Sequence, residues 1–334
     1  MQLIECALNI SEGRDLSKIE AITRAGQVNG AKVLHVDVGS GAARTVITVA
    51  GEPTSIEDAA YRIIHEAANL IDMRNYRSVH PCIGAADVCP FVPLKNATIQ
   101  DCITCAHSLA KRVATELGIP VYLYGAAAQD PARRALSTLR KGGYRGLAQR
   151  FQTGELPPDY GGPCFNPSSG AIAIGARDIL IAFNINLATT SETTAKKIAA
   201  RIRSSAPPSE IGPYRLPLPH CQAIGWYIDE YGFAQVSTNL TAYQVTPPHQ
   251  LFQAVEALAK EAGTSVTGSE LIGLIPKGAL LAAGLYYKNT TTRTEDSLID
   301  TAIEKLGLHS LRPFDRKERI LEEALNHAGW GVCP

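Results

Sequence analysis

Apolar positions along the chain switch repeatedly between a strand-like and a helix-like spacing. Residues 3–10 (LIECALNI), 32–38 and 44–50 read as strands, the last two joined by the glycine-rich turn GSGAA. Residues 15–27 and 55–73 read as helices. In the second, Ile56, Ala59, Ala60, Ile63, Ile64, Ala67, Leu70 and Ile71 form one apolar stripe, and Ser55 with Asp58 resembles a capping box. Residues 88–93 predict an edge strand or loop, because Pro90 has no N–H to give a ladder. A helix over 98–117 and a strand over 121–124 follow.

Periodicity then fades in residues 141–170, KGGYRGLAQRFQTGELPPDYGGPCFNPSSG. A loop of that length inside a domain is usually functional or disordered. Tyr160, Phe165 and the permissive glycines favour a binding loop over a linker. Residues 179–187 are the strongest strand in the chain. A helix (191–202), a Pro/Ser-rich loop (204–219), two strands (223–228 and 234–240), a helix (248–262) and a strand (264–268) come next, with helices near 277–286, 296–306 and 315–327. The order β-α-β-β-α-β thus occurs once in each half. It predicts an α+β fold of two ferredoxin-like, two-layer α/β subdomains, 1–178 and 179–334.

Composition narrows the function. Thirty-two basic and 32 acidic side chains give no net charge, which argues against a nucleic-acid or anionic-membrane partner. No apolar run approaches a membrane span, and MQLIECALNISEGR, with Glu5 in its apolar part, does not read as a signal peptide. Eight cysteines in 334 residues suit reduced thiols in the cytoplasm better than a disulfide scaffold. Cys102 and Cys105 form a CxxC, but within a helical pattern and without a second pair, so they read as structural.

The densest chemistry lies in RSVHPCIGAADVCPFVPL, residues 77–94. His80 can take and give a proton near neutrality, and Pro81 keeps it on a stiff, extended segment. His80, Cys82 and Cys89 could instead be metal ligands, although Cys89 sits in an apolar run. Cys82 could be a nucleophile if a cation stabilised its thiolate. Asp37 and Arg44 flank the GSGAA turn, either as a mutual pair or as a binding pair in which Arg44 offers a fork to a carboxylate. Neither a phosphate loop nor a dinucleotide fingerprint is present, so ATP or NAD use has no support.

ECALNISEGRD, VDVGSGAARTV, HPCIGAADVCPFVP, IPVYLYG, GARDILIAFNINL, AIGWYIDE, AQVSTNL and GSELIGLIP, in that order, resemble the formiminotransferase family of glutamate formimidoyltransferases. The resemblance spans about residues 3–325. It implies two α/β subdomains lining a ligand groove, a cytoplasmic homodimer, and formimidoyl transfer between N5 of tetrahydrofolate and the amino group of glutamate in histidine degradation, without metal or nucleotide. By the same resemblance His80 is the catalytic histidine and Asp37 and Arg44 are substrate-binding. The folate-binding segment falls on Gly161, Gly162, Pro163, Cys164, Phe165, Asn166, Pro167, Ser168, Ser169 and Gly170. Animal relatives carry a further cyclodeaminase domain, so this chain resembles the transferase part alone.

Three departures stand out. The family motif commonly reads His-Pro-Arg, where this chain has Cys82; Ser169 replaces a tryptophan of an animal relative; and Glu270 replaces its glutamine. Cysteine cannot make a bidentate carboxylate contact. Glycine as acceptor, formyl transfer from 5-formyltetrahydrofolate, or a non-catalytic folate-binding role are therefore the competing readings.

Overall fold

A computed structural model of the chain describes residues 1–78, 80–288 and 294–331. The chain divides into two units, Met1–Asp178 and Ile179–Pro334.

The first unit runs β1 (Ile4–Ile10), α1 (Leu16–Ala25), β2 (Ala31–Gly39), β3 (Arg44–Gly51), α2 (Pro53–Leu70), β4 (Ala86–Pro93), α3 (Ile99–Leu117), β5 (Val121–Gly125), α4 (Leu136–Leu139), α5 (Gly143–Thr153) and β6 (Ile172–Ala176). Its sheet has the order β2-β3-β1-β4-β6-β5. The first four strands are antiparallel neighbours in the ferredoxin-like arrangement; β6 and β5 extend the sheet in parallel. α2 buries the stripe Ile56, Ala59, Ala60, Ile63, Ile64 and Ala67 against it. α3 buries Cys102 and Cys105 on its inward face, and burial pushes both thiols up to about 12.

The second unit runs β7 (Ile181–Leu187), α6 (Glu192–Ile202), β8 (Ser209–Ile211), β9 (Tyr214–Leu216), β10 (Cys221–Ile228), β11 (Phe233–Leu240), α7 (Pro248–Glu261), β12 (Val266–Ile272), α8 (Lys277–Tyr287), α9 (Glu295–Lys305), α10 (Arg316–Arg319) and α11 (Leu321–His327). Its four-stranded sheet, β10-β11-β7-β12, repeats the ferredoxin-like order with a core of its own around Phe183, Ile185 and Leu187. Among the described residues no helix is long and apolar enough to cross a membrane.

Several local expectations fail for identifiable reasons. Residues 88–93 are not an edge: β4 lies between β1 and β6, and the β1 ladder skips the positions opposite Pro90, pairing Cys6 with Phe91 and then Asn9 with Val88. Ser55 and Asp58 form no capping box. α2 starts two residues earlier at Pro53, whose fixed φ suits a first turn, while the box forms at Thr98 and Asp101 of α3. The predicted loop over 141–170 holds α5, and the short β6 escapes a periodicity search because it is apolar on both faces. The Pro/Ser-rich segment 204–219 contains the β8–β9 hairpin. The helix near 315–327 is broken at Ile320, which leaves the helical region to bridge Ile275.

Candidate active site

The β2–β3 turn is the first part of the site. Gly13 lies against it so closely that a Cβ there would sit 2.4 Å from the Gly39 carbonyl oxygen and 2.6 Å from the Arg44 nitrogen. Thr45 Oγ1 donates to the Glu12 carbonyl at 2.6 Å. The start of β3, and with it Arg44, is thereby held from below.

The segment after α2 is stitched onto the same turn. The Tyr76 hydroxyl donates to the Ala43 carbonyl at 2.9 Å and Ser78 Oγ to the Ala42 carbonyl at 2.5 Å. The His80 amide in turn donates to Ser78 Oγ at 3.0 Å. These bonds bring His80 to Arg44, 36 positions earlier, with Nη1 2.5 Å from the imidazole Nε2. A guanidinium only donates, so Nε2 accepts, which assigns the ring proton of the neutral form to Nδ1.

Burial, then the Arg44 charge, then the Arg140 charge hold the His80 imidazole well below the usual histidine value. Arg44 is itself lowered to about 10 by burial and by Arg140. His80 is thus a neutral imidazole at working pH. Replacing Arg44 by glutamine removes one of the two cations that disfavour imidazolium. An NMR titration of His80 is expected to move upward in Arg44→Gln, toward the ordinary 6.5. An unmoved titration would refute the coupling.

His80 opens on a cavity of about 530 Å³, lined among others by Arg74, Tyr76, Cys82, Arg140, Tyr144 and Arg145. That volume suits a small-molecule ligand, for which ~300–1,000 Å³ is usual. The arginines give it a basic lining. Arg140 stands at the end of α4, where its Nη2 donates to Asp87 Oδ2. Asp87 is 1% exposed, and its other oxygen accepts from the Ile83 amide at 2.9 Å.

Residues 161–170 form the wall behind the His80 segment. Gly84 bridges Gly170, and a Cβ on either would meet backbone oxygen: Ala171 at 2.1 Å from Gly84, Ile83 at 2.2 Å from Gly170. The Met73 amide donates to the Ser168 carbonyl at 2.8 Å and the Ala85 amide to that of Ser169 at 2.9 Å. Asn166 Oδ1 accepts from Ser168 Oγ and the Ser169 amide, both at 3.0 Å, so the loop closes on itself. Phe165 packs between Tyr144 and Phe151, Ser169 is buried, and Cys164 is exposed.

The structure thus brings His80 and Arg44 together, and bonds the 161–170 loop to the segment that follows His80 at Gly84 and Ala85. Asp37, buried on β2, is described with a different partner, the imidazole of His35 at 3.7 Å. Cys82 and Cys89 do not share a site: Cys89 lies in the core with its sulfur 3.4 Å from that of Cys6. Burial pushes the Cys82 thiol up to about 11, which leaves it protonated and a poor nucleophile. Among the described residues no three His, Cys, Asp or Glu side chains converge as a metal set. Asp87, Arg140 and Tyr144 were not singled out by sequence reasoning. Asp87 stood in the densest segment, Tyr144 in the stretch that looked like loop, and Arg140 just before it.

Against known families, residues 3–177 match the formiminotransferase domain, N-terminal subdomain, and residues 182–326 match the formiminotransferase domain. The chain belongs to the formiminotransferase family. It is 37% identical to the glutamate formimidoyltransferase of Thermoplasma acidophilum, over 91% of this chain and 98% of that one. The enzyme of the same name from Streptococcus pyogenes serotype M1 is 36% identical over 86% and 93%. The formimidoyltransferase-cyclodeaminase of Mus musculus is 42% identical over 98% of this chain, which spans 61% of the mouse protein's length. The formiminotransferase matches cover both sheet-containing units, and the His80 cluster lies in the first.

Proposed function

We propose that the chain is a glutamate formimidoyltransferase, moving a formimidoyl group between N5 of tetrahydrofolate and the amino group of glutamate, a step of histidine degradation. The observation that carries this reading is a neutral His80 whose Nε2 is an acceptor at the edge of an arginine-lined cavity. The names of the streptococcal and archaeal relatives support it. The substrate, N-formimidoylglutamate, bears two carboxylates, and so does the glutamate tail of the folate.

In the forward direction N5 of tetrahydrofolate attacks the amidine carbon and loses its proton. The C–N bond to glutamate then breaks, and the departing nitrogen gains a proton. One imidazole can carry that proton from N5 to the glutamate nitrogen. Arg44 bonds Nε2, so that lone pair becomes available only once the guanidinium turns away. A substrate carboxylate is a stronger acceptor for Arg44 than an imidazole and supplies that pull. The 161–170 loop would hold the folate beside it, and proximity of the two substrates supplies much of the rate. The reading extends to a cytoplasmic homodimer, which sedimentation of the purified chain checks.

The test is turnover of N-formimidoylglutamate with tetrahydrofolate, followed as 5-formimidoyltetrahydrofolate, beside N-formimidoylglycine and 5-formyltetrahydrofolate as alternative donors. The glutamate donor is expected to have the highest kcat/KM. A preference for the glycine donor would replace the acceptor assignment, and folate binding without turnover of any donor would leave a binding protein.

A further inference from the structure

Arg140 has a place in this site that neither the motif nor the family match assigns. Its side chain is 12% exposed and lines the cavity next to His80. Asp87 fixes it from behind and is itself fixed by the Ile83 amide, so the guanidinium is presented on a rigid support. Its charge is felt at both His80 and Arg44. Arg44 contacts the imidazole that shares the cavity lining with Arg140, and the buried Nε of each arginine has no hydrogen-bond partner among the described residues. Arg74, Arg77 and Arg145 line the same cavity; the carboxylates paired with these arginines are Asp72, on Arg74, and Asp87.

Cations kept close together in a low-dielectric pocket repel one another, and unpaired buried N–H groups are costly. A carboxylate answers both at once. It brings negative charge to a guanidinium and has two oxygens to accept from one fork. One carboxylate needs one such fork. A dicarboxylic ligand in the cavity can use Arg140 and a second arginine of the lining, Arg74, Arg77 or Arg145, while a monocarboxylic one can use only one fork.

We propose that Arg140, supported by Asp87, binds a carboxylate of the amino-acid substrate and so selects dicarboxylic over monocarboxylic substrates. Asp87 is a positioning residue that aims the guanidinium. This inference rests on the transferase reading for the identity of the ligand and adds the residue that chooses it.

The experiment compares the wild-type chain with Arg140→Lys and with the double variant Asp87→Asn/Arg140→Gln, which leaves no unpaired buried carboxylate. Two readouts are taken. The first is KM and kcat for N-formimidoylglutamate and N-formimidoylglycine; the second is calorimetric binding of glutarate, which needs no turnover. The double variant is expected to raise KM for the glutamate donor by roughly 10- to 100-fold, and that for the glycine donor by much less. Glutarate binding should weaken in parallel. Lysine keeps the charge without the fork and should fall between. Equal losses on both donors, or unchanged KM and glutarate binding in a folded double variant, overturn the proposal while the transferase reading stands. If the wild-type chain turns over neither donor yet loses glutarate binding with Arg140, the dicarboxylate site stands and the transferase reading falls. Absence of both turnover and glutarate binding in the wild type removes both.

Discussion

Replacing His80 by alanine is expected to lower the proposed formimidoyl transfer by roughly 100- to 10,000-fold, the usual worth of a positioned acid–base group, with folate binding retained. The expectation follows from the position of the imidazole. Its Nε2 is an acceptor held 2.5 Å from a guanidinium, and burial and two cations keep the ring neutral. No other described group at the cavity is poised to replace it. The Cys82 thiol is raised to about 11, and burial also raises the Tyr76 hydroxyl. The measurement is kcat at saturating folate and donor, beside folate affinity by fluorescence or calorimetry. A variant that keeps more than half the wild-type kcat would move the proton carrier elsewhere.

Gly84→Ala is expected to be the most damaging of the small substitutions near the site. The added carbon would lie 2.1 Å from the Ala171 carbonyl oxygen and 2.7 Å from that of Ser169, and both atoms are backbone. Neither can move by rotating a side chain, so the His80 segment and the 161–170 loop must separate. The cost is about 3 kcal/mol, at the upper end of overpacking effects. Folate affinity should fall with stability, because the same contact seats the loop proposed to hold the folate. Gly170→Ala is expected to behave alike, since its Cβ would meet the Ile83 oxygen at 2.2 Å and its φ of +70° disfavours any other residue. Urea unfolding of Gly84→Ala within 0.5 kcal/mol of wild type would show that the two segments are not locked by this contact.

Much of the architecture was legible along the chain. The stripe of α2, the strong strand β7 and the twofold β-α-β-β-α-β order come from local periodicity, which burial on one face imposes on any strand or helix. The misreadings concern elements whose identity is not local. β4 reads as an edge because of Pro90, yet it lies inside the sheet where the ladder lapses opposite that residue. α5 reads as loop because its apolar signal is diluted by glycines and arginines, and its Leu147 and Phe151 are claimed by a small core with Tyr122 and Phe165.

The chemistry divides in the same way. Residue type and neighbourhood offered His80 as a proton carrier, beside metal and thiol readings, and Arg44 as a carboxylate fork, beside a pair with Asp37; the family resemblance chose between them. Tertiary structure decided that the two face each other, through Tyr76 and Ser78 bonding the β2–β3 turn 36 positions away from the histidine. It also decided that Cys82 is a buried wall and not a nucleophile, that Asp37 is described beside His35, and that Arg140 joins the site through Asp87. A sequence shows which charges a chain owns. Which of them share a cavity is set by burial and by hydrogen bonds between residues dozens of positions apart, and those exist only once the chain has folded.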